Sequence, residues 1–135
     1  MTYDEMLKTI KRPSGRAKPK DEEHRLQASC VRMFRLRYPQ YAKLLFAVPN
    51  GGRRDAITGA RLKDEGATAG VSDLILLKPN RFYGSLCIEM KTKAGRQQDT
   101  QKEWQKAVEG AGNKYVVCRS VEEFMKSIND YLKDL

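Results

Sequence analysis

GVSDLILLKPNRFYGSLCIEMK, residues 70–91, is the stretch around which the chain is organised. An acidic residue, Asp73, heads a short apolar run over residues 74–77. Lys78, Pro79, Asn80 and Arg81 break that run, and Gly84 closes the break. A second apolar run over residues 86–90 carries Glu89, with Lys91 two residues on. Two short apolar runs bounded by turn formers predict two strands joined as a hairpin. Side chains alternate faces along a strand, so Glu89 and Lys91 point one way while Ile88 and Met90 point the other. Two carboxylates and an ammonium gathered at the end of a hairpin suit a divalent metal and a phosphate better than they suit a core.

The whole chain has 135 residues, enough for one domain with a real core and no staples. Its 26 Lys and Arg against 17 Asp and Glu leave a net charge of +9. A basic excess of that size in one small domain favours a polyanionic partner, most often nucleic acid. No basic amphipathic segment with an aromatic face stands out to favour a membrane surface instead. No apolar run approaches the roughly 18 residues needed to span a bilayer. The N-terminus lacks the apolar core of a signal peptide. Cys30, Cys87 and Cys118 are widely spaced, odd in number and never arranged as a CxxC pair. That pattern argues against zinc and against a disulfide framework, and it makes a reducing cytoplasm the expected setting.

Residues 1–20 carry Lys8, Lys11, Arg12, Arg16, Lys18 and Lys20, interrupted by Pro13, Gly15 and Pro19. They read as a flexible basic arm, either a solvated tail or a DNA contact. Residues 21–135 read as the folded domain. A helical period runs over residues 21–38 through Leu26, Cys30, Met33, Phe34 and Tyr38, and Pro39 ends it. Glu23 and Gln27, one turn apart, border that apolar stripe. LLFAV at residues 44–48 suits a buried strand, and Pro49, Asn50, Gly51 and Gly52 break it ahead of Arg53 and Arg54. A weaker helix over residues 55–65 stops at Gly66. After the hairpin, residues 93–99 read as a loop. A helix over 99–109 follows, with Gln101, Trp104, Gln105 and Val108 on one side, and Gly110 and Gly112 stop it. KYVVCR, residues 114–119, is a strand. Ser120 with Glu123 three residues on is a capping-box signature for a last helix that buries Val121, Phe124, Ile128 and Leu132. Hairpins and a helical crossover in one small chain imply a mixed α/β fold, a central mixed β-sheet flanked by α-helices.

Phosphodiester hydrolysis needs an activated water, neutralised phosphate charge and a stabilised leaving oxygen. Divalent cations supply most of this, and hard cations such as Mg²⁺ take carboxylate oxygens. Asp73 and Glu89 offer two such ligands on rigid strands, and the main-chain carbonyl of Met90 is a natural third. Lys91, on the Glu89 face, is placed to orient the water or stabilise charge on the attacked phosphate. The competing reading is that Glu89 and Lys91 form an ordinary exposed strand pair and that Asp73 merely opens a turn. His24 sits beside Glu23, but adjacent helix residues diverge, so it is not read as a ligand. Trp104 suits the core, with base stacking as the other reading. Arg53, Arg54, Arg61, Lys93 and Arg96 are either solvated charges or phosphate contacts.

Over residues 23–132 the chain resembles the virus-type replication-repair nuclease (VRR-NUC) family, a branch of the PD-(D/E)XK nuclease superfamily. EHRLQ at 23–27 resembles the family's first-helix motif, and PNGG at 49–52 the segment after its first strand. GVSDLIL at 70–76 resembles its metal-binding aspartate strand, with Ser72 where proline is usual. IEMK at 88–91 matches the acidic residue and lysine that name the superfamily, and QKEW at 101–104 resembles the helix motif whose Gln faces the site.

The resemblance implies a restriction-endonuclease-like PD-(D/E)XK core and a Mg²⁺- or Mn²⁺-dependent deoxyribonuclease. In it Asp73 and Glu89 bind the metal, with Glu23 facing it directly or through water. Lys91 acts on the water or the transition state, and Gln27 and Gln101 support the site or contact phosphate. Stand-alone members resemble dimeric, structure-specific endonucleases, including Holliday-junction resolvases. That implies branched DNA as substrate, a role in replication, recombination or repair, and a homodimer in a bacterial or virus-infected cell. The alternative class is a basic nucleic-acid-binding module without catalysis. It explains the charge equally well but leaves acidic residues beside the binding surface unexplained, since carboxylates there repel phosphate unless a cation intervenes.

Overall fold

A computed structural model describes Thr2, Asp4, Glu5, residues 19–49 and residues 56–135; of residues 19, 20, 56 and 57 it describes the backbone alone. Most of the basic arm, and Asn50, Gly51, Gly52, Arg53 and Arg54, lie outside the described residues. Helix α1 spans Pro19–Arg37, so it starts two residues before the expected point. It is followed by a 3₁₀ turn over Pro39–Leu44. Strand β1 is Leu45–Ala47, helix α2 Ala56–Asp64, and strands β2 and β3 are Leu74–Leu76 and Leu86–Met90. Helix α3, Asp99–Gly110, crosses to strand β4, Lys114–Cys118, and helix α4, Val121–Leu132, completes the fold.

The described strands form one mixed sheet in the order β1-β2-β3-β4. β2 pairs antiparallel with both β1 and β3, whereas β4 lies parallel to β3, as its crossover helix requires. One face of the sheet carries Leu45, Leu74, Leu76, Leu86, Ile88, Met90 and Cys118. Onto it pack Cys30, Met33 and Phe34 of α1 and Phe124, Met125, Ile128 and Leu132 of α4, which together make the core. The α1 period therefore works as expected, with Leu26 and Tyr38 partly buried at its ends. The other face carries Ile75, Cys87 and Tyr115 in register, and α3 lies against β4 there.

Two helices stop by the same backbone device. After α2, the Gly66 N–H donates to the Lys63 carbonyl and the Ala67 N–H to the Leu62 carbonyl, with Gly66 at φ 106°. After α3, the Gly112 N–H donates to Glu109 and the Asn113 N–H to Val108, with Gly112 at φ 90°. Both are paired closures in which glycine takes the left-handed turn. Gly110, expected as a stop, lies within α3, because a right-handed conformation there needs no glycine. At α4 the Ser120 hydroxyl accepts from the Glu123 N–H at 3.1 Å. The Glu123 carboxylate reaches back one residue beyond the expected box and accepts from the Arg119 N–H at 2.6 Å.

Gly70 ties the hairpin to α3. It has φ 84°, and a Cβ there would lie 2.1 Å from the Thr100 carbonyl oxygen. The backbone ahead of Asp73 thus passes directly over the first turn of α3, the turn that carries Gln101. Gly59, inside α2, meets nothing within 4 Å. The two glycines should respond with opposite signs in denaturant unfolding. Gly70→Ala is expected to lower stability by about 1–3 kcal/mol through strain and collision. Gly59→Ala is expected to raise it by about 0.5–1 kcal/mol through helix propensity.

Candidate active site

The site grows out of the hairpin register. Leu74 pairs with Ile88, so one step outward Asp73 stands opposite Glu89 across the strands. Directly opposed residues share a face with their Cβ atoms about 5 Å apart, and like charges in that position are unfavourable. Two further bonds hold Asp73 at this point. Its main-chain carbonyl accepts from the Val48 N–H at 2.9 Å, extending the β1 pairing. Its carboxylate accepts from the Met90 N–H at 2.7 Å, taking the place of a strand carbonyl past the start of β2. A strand residue sends its N–H and C=O to the same side, so the Met90 carbonyl faces the edge that holds Asp73. Ser72, buried just before it, donates from its hydroxyl to the Leu74 carbonyl at 3.0 Å.

Glu89 is only 2% exposed, an unusual burial for a carboxylate. Its Oε1 accepts from the Gln101 side-chain amide at 3.1 Å and its Oε2 from the Tyr115 hydroxyl at 3.2 Å. The Lys91 ammonium lies 4.0 Å from Oε1. Burial, and after it the Asp73 carboxylate alongside, pushes Glu89 up from 4.5 to about 8, against the opposing pull of Lys91 and Tyr115. Burial and the Glu89 charge likewise hold the Tyr115 phenol well above its usual range.

Lys91 is 8% exposed and continues the β3–β4 ladder, its N–H donating to the Cys118 carbonyl at 3.0 Å. The loop after it turns at Gly95, whose N–H bonds the Thr92 carbonyl at 3.1 Å. A Cβ at Gly95 would sit 3.3 Å from the Lys91 Cδ, so the glycine leaves room for the lysine stem. The Arg119 guanidinium donates to the carbonyls of Thr92 and Gly95 and fixes the loop from β4. At the start of α3 the Gln98 N–H donates to the Gln101 Oε1 at 2.7 Å, which turns the Gln101 amide nitrogen toward Glu89.

The structure therefore brings Asp73, Glu89, Lys91 and Gln101 together, with the Met90 backbone beside them. It does not bring Glu23 into this cluster. Glu23 is exposed on the first turns of α1, and its carboxylate makes no hydrogen bond or ion pair with another described residue. Among the described residues no three His, Cys, Asp or Glu side chains gather as a metal cluster. Gln27 is half-buried on α1, while Arg61 on α2 and Lys93 and Arg96 on the loop after β3 are exposed. Trp104 packs its indole edge-on to the Tyr115 ring, with centroids 6.1 Å apart. Tyr115, Gln97 and Arg119 were not singled out by the sequence. For Tyr115 the signal was available, because a phenol inside an apolar strand needs a polar partner.

The domain model that matches this chain is the VRR-NUC domain, over residues 21–122. The chain belongs to the VRR-NUC domain family, a nuclease family whose substrates are nucleic acids. A solved structure of a VRR-NUC domain protein is 21% identical, with a TM-score of 0.72 over 89% of this chain and 93% of that one. That likeness bears on the fold, which is the mixed sheet and flanking helices expected of such a nuclease. No curated protein matches the sequence.

Because Glu89 titrates near 8 when folded and near 4.5 otherwise, the folded chain holds a proton between those values that the unfolded chain has released. Stability of the metal-free protein should therefore fall as pH rises from about 4.5 to 8. Glu89→Gln should flatten that slope and stabilise the protein at the alkaline end, as read by urea unfolding across the pH series.

Proposed function

We propose that the protein is a divalent-metal-dependent DNA endonuclease acting on branched DNA, in replication, recombination or repair. The observation that carries this reading is the opposed pair of carboxylates, Asp73 and Glu89, with Lys91 beside them. Glu89 is buried and Asp73 half-buried opposite it, so ionising both against one ammonium is unfavourable, and a cation held there would offset that cost. The donor set fits Mg²⁺ or Mn²⁺, being all oxygen: two carboxylates and the Met90 carbonyl. Mg²⁺ keeps several waters and needs only one or two protein carboxylates, so Asp73 and Glu89 suffice without a third acidic residue. Glu23 then acts through water.

When bound, such an ion neutralises phosphate charge and acidifies water. Asp73 and Glu89 hold it. Gln101 keeps Glu89 oriented through its amide. The Lys91 ammonium donates to the attacked phosphate or to the incoming water, stabilising the charge that develops there. Hydrolysis joins the water oxygen to phosphorus, breaks one bridging P–O bond and leaves the proton on the departing alkoxide. Gln27, Arg61, Lys93 and Arg96, together with Arg53 and Arg54, contact the DNA backbone in this reading, in keeping with the charge of +9. Cutting two strands needs two sites, which a homodimer supplies. A DNA substrate of this kind implies a cytoplasmic setting, in a bacterium or a virus-infected cell.

The test is a panel of duplex, single-stranded, flap and four-way-junction DNA with Mg²⁺ and Mn²⁺, and the protein sized alongside. Cleavage should favour the branched substrates and stop with EDTA. Lys91→Ala should slow it by about 10²–10³-fold, and Asp73→Asn should remove it. Cleavage at the parent rate in Lys91→Ala, or cleavage that persists in Asp73→Asn, contradicts the site, and EDTA-insensitive binding without cleavage on any substrate favours a non-catalytic binding module.

A further inference from the structure

We propose that Tyr115 is a positioning residue for Glu89, holding that carboxylate in the orientation that binds metal; the inference rests on the metal-site reading above. Glu89 is gripped from two elements by two neutral donors, one per oxygen. Gln101 on α3 takes Oε1, and the Tyr115 hydroxyl on β4 takes Oε2 at 3.2 Å. The direction of the Tyr115 bond is set from behind. The Gln97 amide nitrogen donates to the Tyr115 oxygen at 3.2 Å and to the Gln105 carbonyl oxygen at 2.8 Å. With its oxygen already accepting, the phenol has its single hydrogen left for Glu89. The chain of donors thus runs from Gln97 through Tyr115 to the carboxylate.

The ring that carries the hydroxyl has little freedom. Tyr115 is 7% exposed, its indole neighbour Trp104 packs edge-on to it, and its strand is hydrogen-bonded along β3. Two side-chain torsions locked by packing place the oxygen within a narrow range. A neutral donor suits this task better than a charged one. It supports negative charge on the far oxygen without competing for the place a cation would take. A carboxylate has about four lone-pair positions, and the two bonds leave the others for a ligand. Partners that orient a metal ligand typically matter by about 10–100-fold in metal affinity.

Calorimetric titration of Mn²⁺ into the DNA-free protein tests this, with Asp73→Asn as the control that locates the site. Tyr115→Phe keeps the ring and removes one hydroxyl, so its melting temperature should stay close to that of the parent. Its Mn²⁺ affinity should fall about 10-fold or more, and cleavage should recover at saturating metal. Gln97→Met, which removes the donor behind the phenol, should shift affinity the same way by less and serves if Tyr115→Phe misfolds. Unchanged affinity in Tyr115→Phe, or in Gln97→Met where that variant must serve, overturns the role of Tyr115 alone. A parent protein that binds no Mn²⁺, or binds it equally well with Asp73→Asn, overturns the metal site and this proposal with it.

Discussion

The repulsion between Asp73 and Glu89 is the constraint on which the rest of the site depends. It follows from a register: once Leu74 faces Ile88, the next pair outward sets two carboxylates opposite each other. Every neighbouring feature answers that charge. The Met90 N–H turns to Asp73, Gln101 and Tyr115 turn to Glu89, and Lys91 stands 4.0 Å away. Even so, Glu89 rises to about 8, because burial and the Asp73 carboxylate together outweigh Lys91 and the Tyr115 hydroxyl. A fold optimised for stability alone would not bury a carboxylate there.

The sheet divides the labour between its faces. Its even-numbered β3 residues, Leu86, Ile88 and Met90, join α1 and α4 in an apolar core that needs nothing from the site. The odd-numbered ones, Cys87 and Glu89, face α3, and Lys91 follows on the same side. One five-residue strand thus supplies the core and the chemistry at once. The remaining positioning is done by close backbone contact, at Gly70 over Thr100, and by the Arg119 guanidinium gripping the loop that follows Lys91.

What could be read in the chain was local or periodic. The α1 stripe, the hairpin, the left-handed glycines at 66 and 112 and the Ser120 cap all depend on residues within a few positions of one another. So does the shared face of Glu89 and Lys91. Pairings set by three-dimensional register were less legible. Nothing in the spacing of Tyr115 or Gln97 shows that β4 lies parallel to β3 and carries a phenol to the Glu89 oxygen. Arg119 is separated from its loop carbonyls by more than twenty residues. Glu123 bonds one residue beyond the expected partner, because the Arg119 N–H lies within reach of its carboxylate. Glu23 matched a motif, yet its place on an exposed helical turn leaves it outside the described cluster.

The most direct measurement is a crystal structure of the protein grown with Mn²⁺, with anomalous scattering used to locate the ion. The account expects a peak between the Asp73 and Glu89 carboxylates, with an oxygen of each at about 2.1 Å and the Tyr115 and Gln101 bonds to Glu89 intact. Carboxylates left without an ion between them at saturating Mn²⁺, or ions bound only elsewhere on the chain, would contradict it.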